Sequence, residues 1–387
     1  MEIVYVNYGF QSGVTEQVRR ALEERGHRVT LLDATGPLEY RDRRTGAYRL
    51  DAPVLLSLLA AAARYGRRAL DLRWATTYAF DFHSRHAGRL LEALPRRPDA
   101  VLQAGALFSP GLPPPYPYVL LLDHTQKLSL EVPRDPGSRL PPPPDRGNAW
   151  RKRETALYRK AVGIGTFSQR VVRSLCDDYG VPPGVAEAVG AGANVFPEQV
   201  RREDDGQTLV FVGTRFDIKG GPVLLRAFLR LRRRRPDLRL LVVGTTERLH
   251  LPKGAENLGY VPASRLPEIF ARSTIFVLPT IREAFGLAFL DAMACGLPCV
   301  GTRVGAVPEI VEDGVTGFLA QPGDDAALAE AIERLLDDPE RARAMGMAGR
   351  QRVASRWRWS MVAERLERLL ARCVQAPDAP QPAAAAR

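Results

Sequence analysis

Two doubly wound α/β units in series are predicted by three observations: the length, an ordinary globular composition, and short apolar runs that alternate with helical patterns. At 387 residues the chain is too long for one compact core and suits about two. Hydrophobic residues make up 45% and charged residues 26%, a balance that excludes disorder for most of the chain. The longest apolar stretch, Val54–Ala63 broken only by Ser57, falls short of the roughly 20 residues that span a bilayer. Met1-Glu2-Ile3-Val4-Tyr5-Val6 lacks the basic and then apolar layout of a signal peptide, so a cytoplasmic protein is expected.

The chain opens as βαβ, with strands at Ile3–Asn7 and Arg28–Leu32 around helical spacing from Thr15 to Arg25. The loop holding Gly9, Ser12 and Gly13 suits backbone amides that approach an anion, although it is not the dinucleotide fingerprint, and Gly13 equally suits a tight turn. Ala100–Leu102 and Tyr118–Leu122 read as buried parallel strands. The polar stretch Pro133–Asn148 is predicted to be a mobile surface loop, followed by a helix at Trp150–Ala161, a run at Gly163–Ser168 and a helix at Gln169–Asp178. Glycine, proline and polar residues from Gly190 to Glu203 mark a boundary, which divides the chain into 1–195 and 196–356.

Beyond it, strands at Leu209–Val212, Leu238–Val243, Ile275–Leu278 and Pro298–Gly301 alternate with helices at Pro222–Arg233, Arg265–Arg272, Gly286–Cys295 and Asp325–Asp337. Two such units in series set their strand ends across a cleft from each other. A last helix, 357–375, and a Pro/Ala tail, 376–387, expected to be disordered, complete the sequence.

The net charge is +11, and only five basic residues are lysine. Arginine is spread along the whole chain, and its densest run, Arg230–Arg235, closes a predicted helix, where cations suit the macrodipole. A solvated helix end therefore explains it better than a nucleic-acid stripe, and no nucleic-acid partner is expected. Four cysteines make no disulfide framework. Cys295 and Cys299, with no second ligand pair nearby, point to buried thiols rather than zinc, and neither a metal nor a cofactor is expected.

Two segments carry chemistry. In Pro279-Thr280-Ile281-Arg282-Glu283-Ala284-Phe285-Gly286-Leu287 a strand ends, a carboxylate follows, and Gly286 lets a ligand reach the first free N–H groups of a helix, which attract phosphate. From Phe285 to Cys295 only Asp291 is polar, so an ionised Asp291 needs a partner: a bound hydroxyl pair, an arginine or backbone donors. In Val212-Gly213-Thr214-Arg215-Phe216-Asp217-Ile218-Lys219-Gly220-Gly221-Pro222 another strand runs into a helix start. Arg215 and Lys219 can project toward a phosphate that Gly220 lets approach, or be surface cations.

Together these segments resemble the retaining GT-B glycosyltransferases, and in particular glycosyltransferase family 4. Glu283 through Asp291 looks like that family's E-x7-E motif, with aspartate for the second glutamate, and Gly305-Ala306-Val307-Pro308-Glu309 and Gly314–Leu319 resemble its continuation. The resemblance implies two Rossmann-like domains facing across a cleft, an N-terminal acceptor domain, a C-terminal nucleotide-sugar domain, and a final helix crossing back to the first. It also implies that Glu283 holds hydroxyls of the donor sugar, that the backbone of Phe285, Gly286 and Leu287 faces sugar and diphosphate, and that Asp291 takes the ribose hydroxyls. Arg215 and Lys219 would neutralise the diphosphate, although the family's arginine falls where Thr214 stands here. Tyr260 and Val261 would hold the base through their backbone.

In the N-terminal half, Tyr118–Thr125 looks like the strand that ends in a histidine facing the donor sugar, which makes His124 a candidate at the reaction centre. Gly13 takes the place of the family's glycine-rich first loop. His83 and His86, three apart, are expected to be exposed or to touch acceptor. The implied reaction moves a sugar, with retention and without a metal, from a nucleoside diphosphate sugar to a glycan, lipid-linked or small-molecule acceptor, with mild support for contact at the inner membrane face. Competing readings are a synthase- or phosphorylase-type enzyme, a nicotinamide dehydrogenase, and a sugar-nucleotide binder without turnover.

Overall fold

The computed structural model describes residues 1–8, 13–34, 36–41, 47–131, 140–198 and 202–376. Gly9 and Ser12 of the first loop, 133–139 of the expected surface loop and 377–387 of the expected tail lie outside them. Among the described residues two compact units separate, one from 1–130, 142–190 and 362–376, the other from 191–361 with Glu131 and 140–141. The boundary falls at Gly190, inside the segment that loses its periodic pattern.

The first unit is a parallel sheet of β1 Glu2–Asn7, β2 Arg28–Asp33, β3 Ala100–Ala104, β4 Tyr118–Leu122, β5 Gly163–Thr166 and β6 Ala186–Ala188. Its order is β2-β1-β3-β4-β5-β6. Every residue of β3, β4 and β5 is buried, as strands covered on both faces require. Val6, Val101, Leu120 and Ile164 pack with Phe80, Leu91, Trp150 and Leu175 of the flanking helices.

Gly163 and Gly165 are small because the final helix, Trp359–Gln375, lies on them. A Cβ on Gly165 would come 3.0 Å from Leu366, and one on Gly163 3.2 Å from Leu369. Arg365 ties the same helix to the Val189 carbonyl at 2.8 Å.

Between β2 and β3 the described residues hold two long helices that the strand-centred reading passes over, Ala52–Tyr65 and Thr77–Glu92, with the single turn Ala69–Leu72 between them. Their starts are nevertheless written in the sequence. Asp51 accepts the Val54 N–H at 3.2 Å with proline in the first turn, and Thr76 accepts the Ala79 N–H at 3.1 Å. The helix expected from Trp150 begins at Gly147.

The second unit has strands β7 Thr208–Val212, β8 Arg239–Val243, β9 Ala255–Asn257, β10 Ile275–Val277, β11 Cys299–Thr302 and β12 Gly317–Ala320. All are parallel, in the order β12-β11-β10-β7-β8-β9, which is the dinucleotide-fold order. β9 and β12 are absent from the predicted strands: Ala255-Glu256-Asn257 makes no apolar run, and Gly317-Phe318-Leu319-Ala320 opens on a glycine with only three apolar residues after it.

The Arg230–Arg235 run is not simply solvated: Arg230 meets Asp325 at 2.6 Å, Arg234 meets Glu333 at 3.3 Å, and Arg235 meets Asp337, all on the Asp325–Asp337 helix. Three acids on one neighbouring helix offset cations that the sequence alone leaves to water. Cys295 and Cys299 are buried thiols, and burial pushes the Cys295 thiol up to about 12.

Candidate functional site

Strand order in the second sheet reverses between β7 and β10, and connections leaving such neighbours in opposite directions open a crevice at their carboxyl ends. The loops that follow these strands, Gly213–Gly220 and Pro279–Gly286, are stitched together. The Ile218 carbonyl accepts the Ile281 N–H at 2.9 Å. Gly220, at φ +77°, sits where a Cβ would overlap the Pro279 carbonyl. The loop after β11 joins them, since a Cβ on Gly305 would overlap the Glu283 carbonyl, and Thr302 Oγ1 donates to the Thr280 carbonyl at 2.6 Å.

This stitching brings Lys219 Nζ to 2.5 Å from Glu283 Oε2, with the carboxylate side chain 9% exposed and the lysine 24%. Three residues on, Gly286 at φ +114° opens the Leu287–Ala294 helix, and the place where its Cβ would stand lies 3.7 Å from Glu283 Cγ. A cation, a carboxylate and a helix N-terminus therefore share one corner.

The remaining expected donor-site residues distribute around it. Phe285 is buried edge-on against Trp357, ring centroids 5.5 Å apart, and Leu287 is half-buried. Arg215 is exposed, and its carbonyl accepts the Lys219 N–H at 3.0 Å. Tyr260, 71% exposed, and Val261 follow Gly259, whose carbonyl accepts the Gly244 N–H at 2.7 Å just past β8. All of these lie at the carboxyl end of the sheet.

Asp291 behaves differently. It is 5% exposed, and Oδ1 accepts the N–H groups of Asn194 at 2.7 Å and Val195 at 3.1 Å. Of the partners open to it in the sequence, backbone donors are the ones found. Burial raises its carboxyl to about 7 against the pull of those two N–H groups.

Because the folded value lies above the unfolded one near 3.8, the native state holds a proton that the unfolded chain has already lost between about pH 4 and 7. Wild-type stability should then fall relative to Asp291→Asn by up to about 4 kcal/mol as pH rises through that window, and run parallel to it above. Urea unfolding of both proteins across the window checks this; parallel curves throughout would refute it.

In the first unit, Gly13 at φ +83° precedes the Val14–Glu23 helix after β1, and His124 stands just past β4, half-buried. The residues that follow His124 are held by a network that motif reasoning missed. Glu154, 1% exposed, accepts the Gln126 N–H at 3.1 Å and the hydroxyls of Tyr158 at 2.9 Å and Tyr179 at 2.8 Å. The Tyr179 hydroxyl in turn accepts the Lys127 N–H at 3.0 Å. Arg146, its guanidinium between the rings of Trp74 and Trp150, adds a positive charge that opposes the upward push of burial on the Glu154 carboxyl. An acid and a tyrosine four apart on an otherwise inward helix face are the signal that could have found it.

His83 is not exposed, contrary to expectation. It is 3% exposed, a ring nitrogen lies 2.9 Å from the Ala34 carbonyl, and burial lowers it to about 4, so it is neutral at physiological pH. His86 is half-buried.

Residues 194–352, which contain the Lys219–Glu283 corner, match the family described as glycosyl transferases group 1. The second unit is a member of the glycosyl transferases group 1 family. Among relatives of this glycosyl transferases group 1 unit, the GDP-mannose-dependent alpha-(1-6)-phosphatidylinositol monomannoside mannosyltransferase of Mycolicibacterium smegmatis is 38% identical over 169 residues, 39% of this chain and 44% of that protein. The chain thus spans 44% of that relative, 36% of the N-acetyl-alpha-D-glucosaminyl L-malate synthase of Bacillus anthracis and 58% of the glycogen synthase of Mycobacterium tuberculosis, less than two thirds of each.

Among solved structures, sucrose-phosphate synthase from Thermosynechococcus elongatus superposes with TM-score 0.67 at 20% identity over 97% of this chain and 99% of that one. HepE of Anabaena, solved with UDP-glucose, gives TM-score 0.65 at 16% identity over 95% and 99%. The fold is GT-B, as the motif resemblance implied.

Proposed function

We propose that the chain is a retaining glycosyltransferase that moves a sugar from a nucleoside diphosphate sugar to a hydroxyl acceptor without a metal. The observation that carries this reading is the corner where Lys219, Glu283 and the Gly286 helix start meet, at the order reversal of the second sheet. In the proposed reaction the bond between the anomeric carbon and the diphosphate oxygen breaks as the acceptor oxygen bonds to that carbon on the same face. The acceptor's proton passes to the departing diphosphate.

Lys219, Arg215 and the first N–H groups of the Leu287–Ala294 helix would stabilise the charge that develops there. Glu283 would accept from sugar hydroxyls, and His124 would act at the reaction centre. Asp291 can offer ribose only what the Asn194 and Val195 N–H groups leave, so its assigned share in this reading is to hold that segment. Relatives and neighbours support the donor class: one is named GDP-mannose-dependent, and another was solved with UDP-glucose.

A thermal-shift series with UDP, GDP, ADP and their glucose and mannose conjugates tests it. The right nucleotide at a hundred times its dissociation constant should stabilise by about 2.7 kcal/mol. The absence of a shift with any of them would overturn the reading.

A further inference from the structure

The helix Ala52–Tyr65 is apolar on both sides, and only one side is used. Val54, Ser57 and Ala61 are buried, whereas Leu55, Leu56 and Leu59, at 44%, 51% and 64% exposure, lie on the opposite face. Ala52, Ala62 and Ala63 continue that face, and no charged side chain interrupts it from 52 to 63. Leu50 and Leu70, 69% and 56% exposed, extend the apolar surface at each end of the segment. Isolated exposed leucines are ordinary, but a contiguous strip with helical spacing is not.

The charge around it is one-sided. Between residues 41 and 73 the described residues include six arginines and two aspartates, with no lysine or glutamate, a net +4. Arg64 and Arg67, just past the strip, are exposed. We infer that this face docks on an anionic lipid bilayer, with Leu55, Leu56 and Leu59 entering the headgroup boundary and the arginines meeting lipid phosphates. A second copy of the chain is a poorer occupant, because two-fold pairing of the strip would set one net +4 segment against another. At 14 residues the helix can lie in the interface but is too short to span it, and among the described residues no helix is long and apolar enough to cross a membrane.

The inference stands on the first unit alone and does not require the donor assignment. Its test is flotation of the full chain with phosphatidylcholine vesicles, with and without phosphatidylglycerol, at low and high salt. Wild type should float with the anionic vesicles and lose most of that binding without phosphatidylglycerol or at high salt. The triple variant Leu55→Gln, Leu56→Gln, Leu59→Gln, all surface changes, should partition at least about tenfold more weakly while keeping the wild-type melting temperature.

Failure of wild type to float would overturn the inference. So would equal flotation of the triple variant, which would mean adsorption by charge alone. A wild-type dimer that the triple variant converts to monomer would assign the strip to self-association instead.

Discussion

Replacing Glu283 with alanine is expected to lower kcat/KM for sugar transfer by about a thousandfold, equivalent to about 4 kcal/mol of transition-state stabilisation. The carboxylate stands against Lys219 at 2.5 Å and beside the helix start at Gly286, so its loss removes the proposed acceptor for sugar hydroxyls without touching the sheet below. The same change releases Lys219. A nucleoside diphosphate lacking its sugar should therefore bind Glu283→Ala at least as tightly as wild type.

Lys219→Ala should do the reverse, weakening nucleoside diphosphate binding by about tenfold to a hundredfold, because it takes away the charge-assisted contact proposed for the phosphate. Steady-state kinetics together with calorimetric titration of the bare nucleotide separate the two. Equal weakening of bare-nucleotide binding by both variants would mean that the pair only braces the loop, and unchanged turnover in Glu283→Ala would remove the corner from the chemistry.

Gly220→Ala is expected to cost about 3 kcal/mol or more of stability in the second unit, far beyond what its backbone angle demands. Two penalties add there. A non-glycine residue at φ +77° is strained by about 1 kcal/mol, and the new methyl meets the Pro279 carbonyl, backbone that belongs to the neighbouring loop and cannot swing aside. Gly206 provides the control. Its φ is +72°, and nothing lies within 4 Å of where a Cβ would go, so Gly206→Ala should show only the first penalty. Urea midpoints of the two variants measured together give the difference; equal midpoints would refute the close approach of the two loops.

What could be read in advance depended on how local the cause was. The loops after β7 and β10 were legible because strand, glycine, charge and helix start follow one another within a dozen residues, each dictated by neighbours in the chain. The Asp325–Asp337 acids that meet the arginine run were not, since a partner about a hundred residues away leaves no mark beside it. Asp291 is a third kind of case. Its need for a partner was plain from an apolar helix, but that the Asn194 and Val195 amides meet it is set by tertiary packing. The helix at Ala52 is hidden for another reason: its cap is explicit, but an all-round apolar pattern does not show which face packs.

The bare surface over Gly163 and Gly165 has a consequence for biosynthesis. Those glycines leave the ribosome some two hundred residues before Leu366 and Leu369, the side chains that cover them. Throughout the translation of the second unit, the patch of the earlier sheet that these leucines cover waits greasy and open. A nascent chain stalled anywhere before residue 366 should be a better client for chaperones than either the finished protein or its isolated later half.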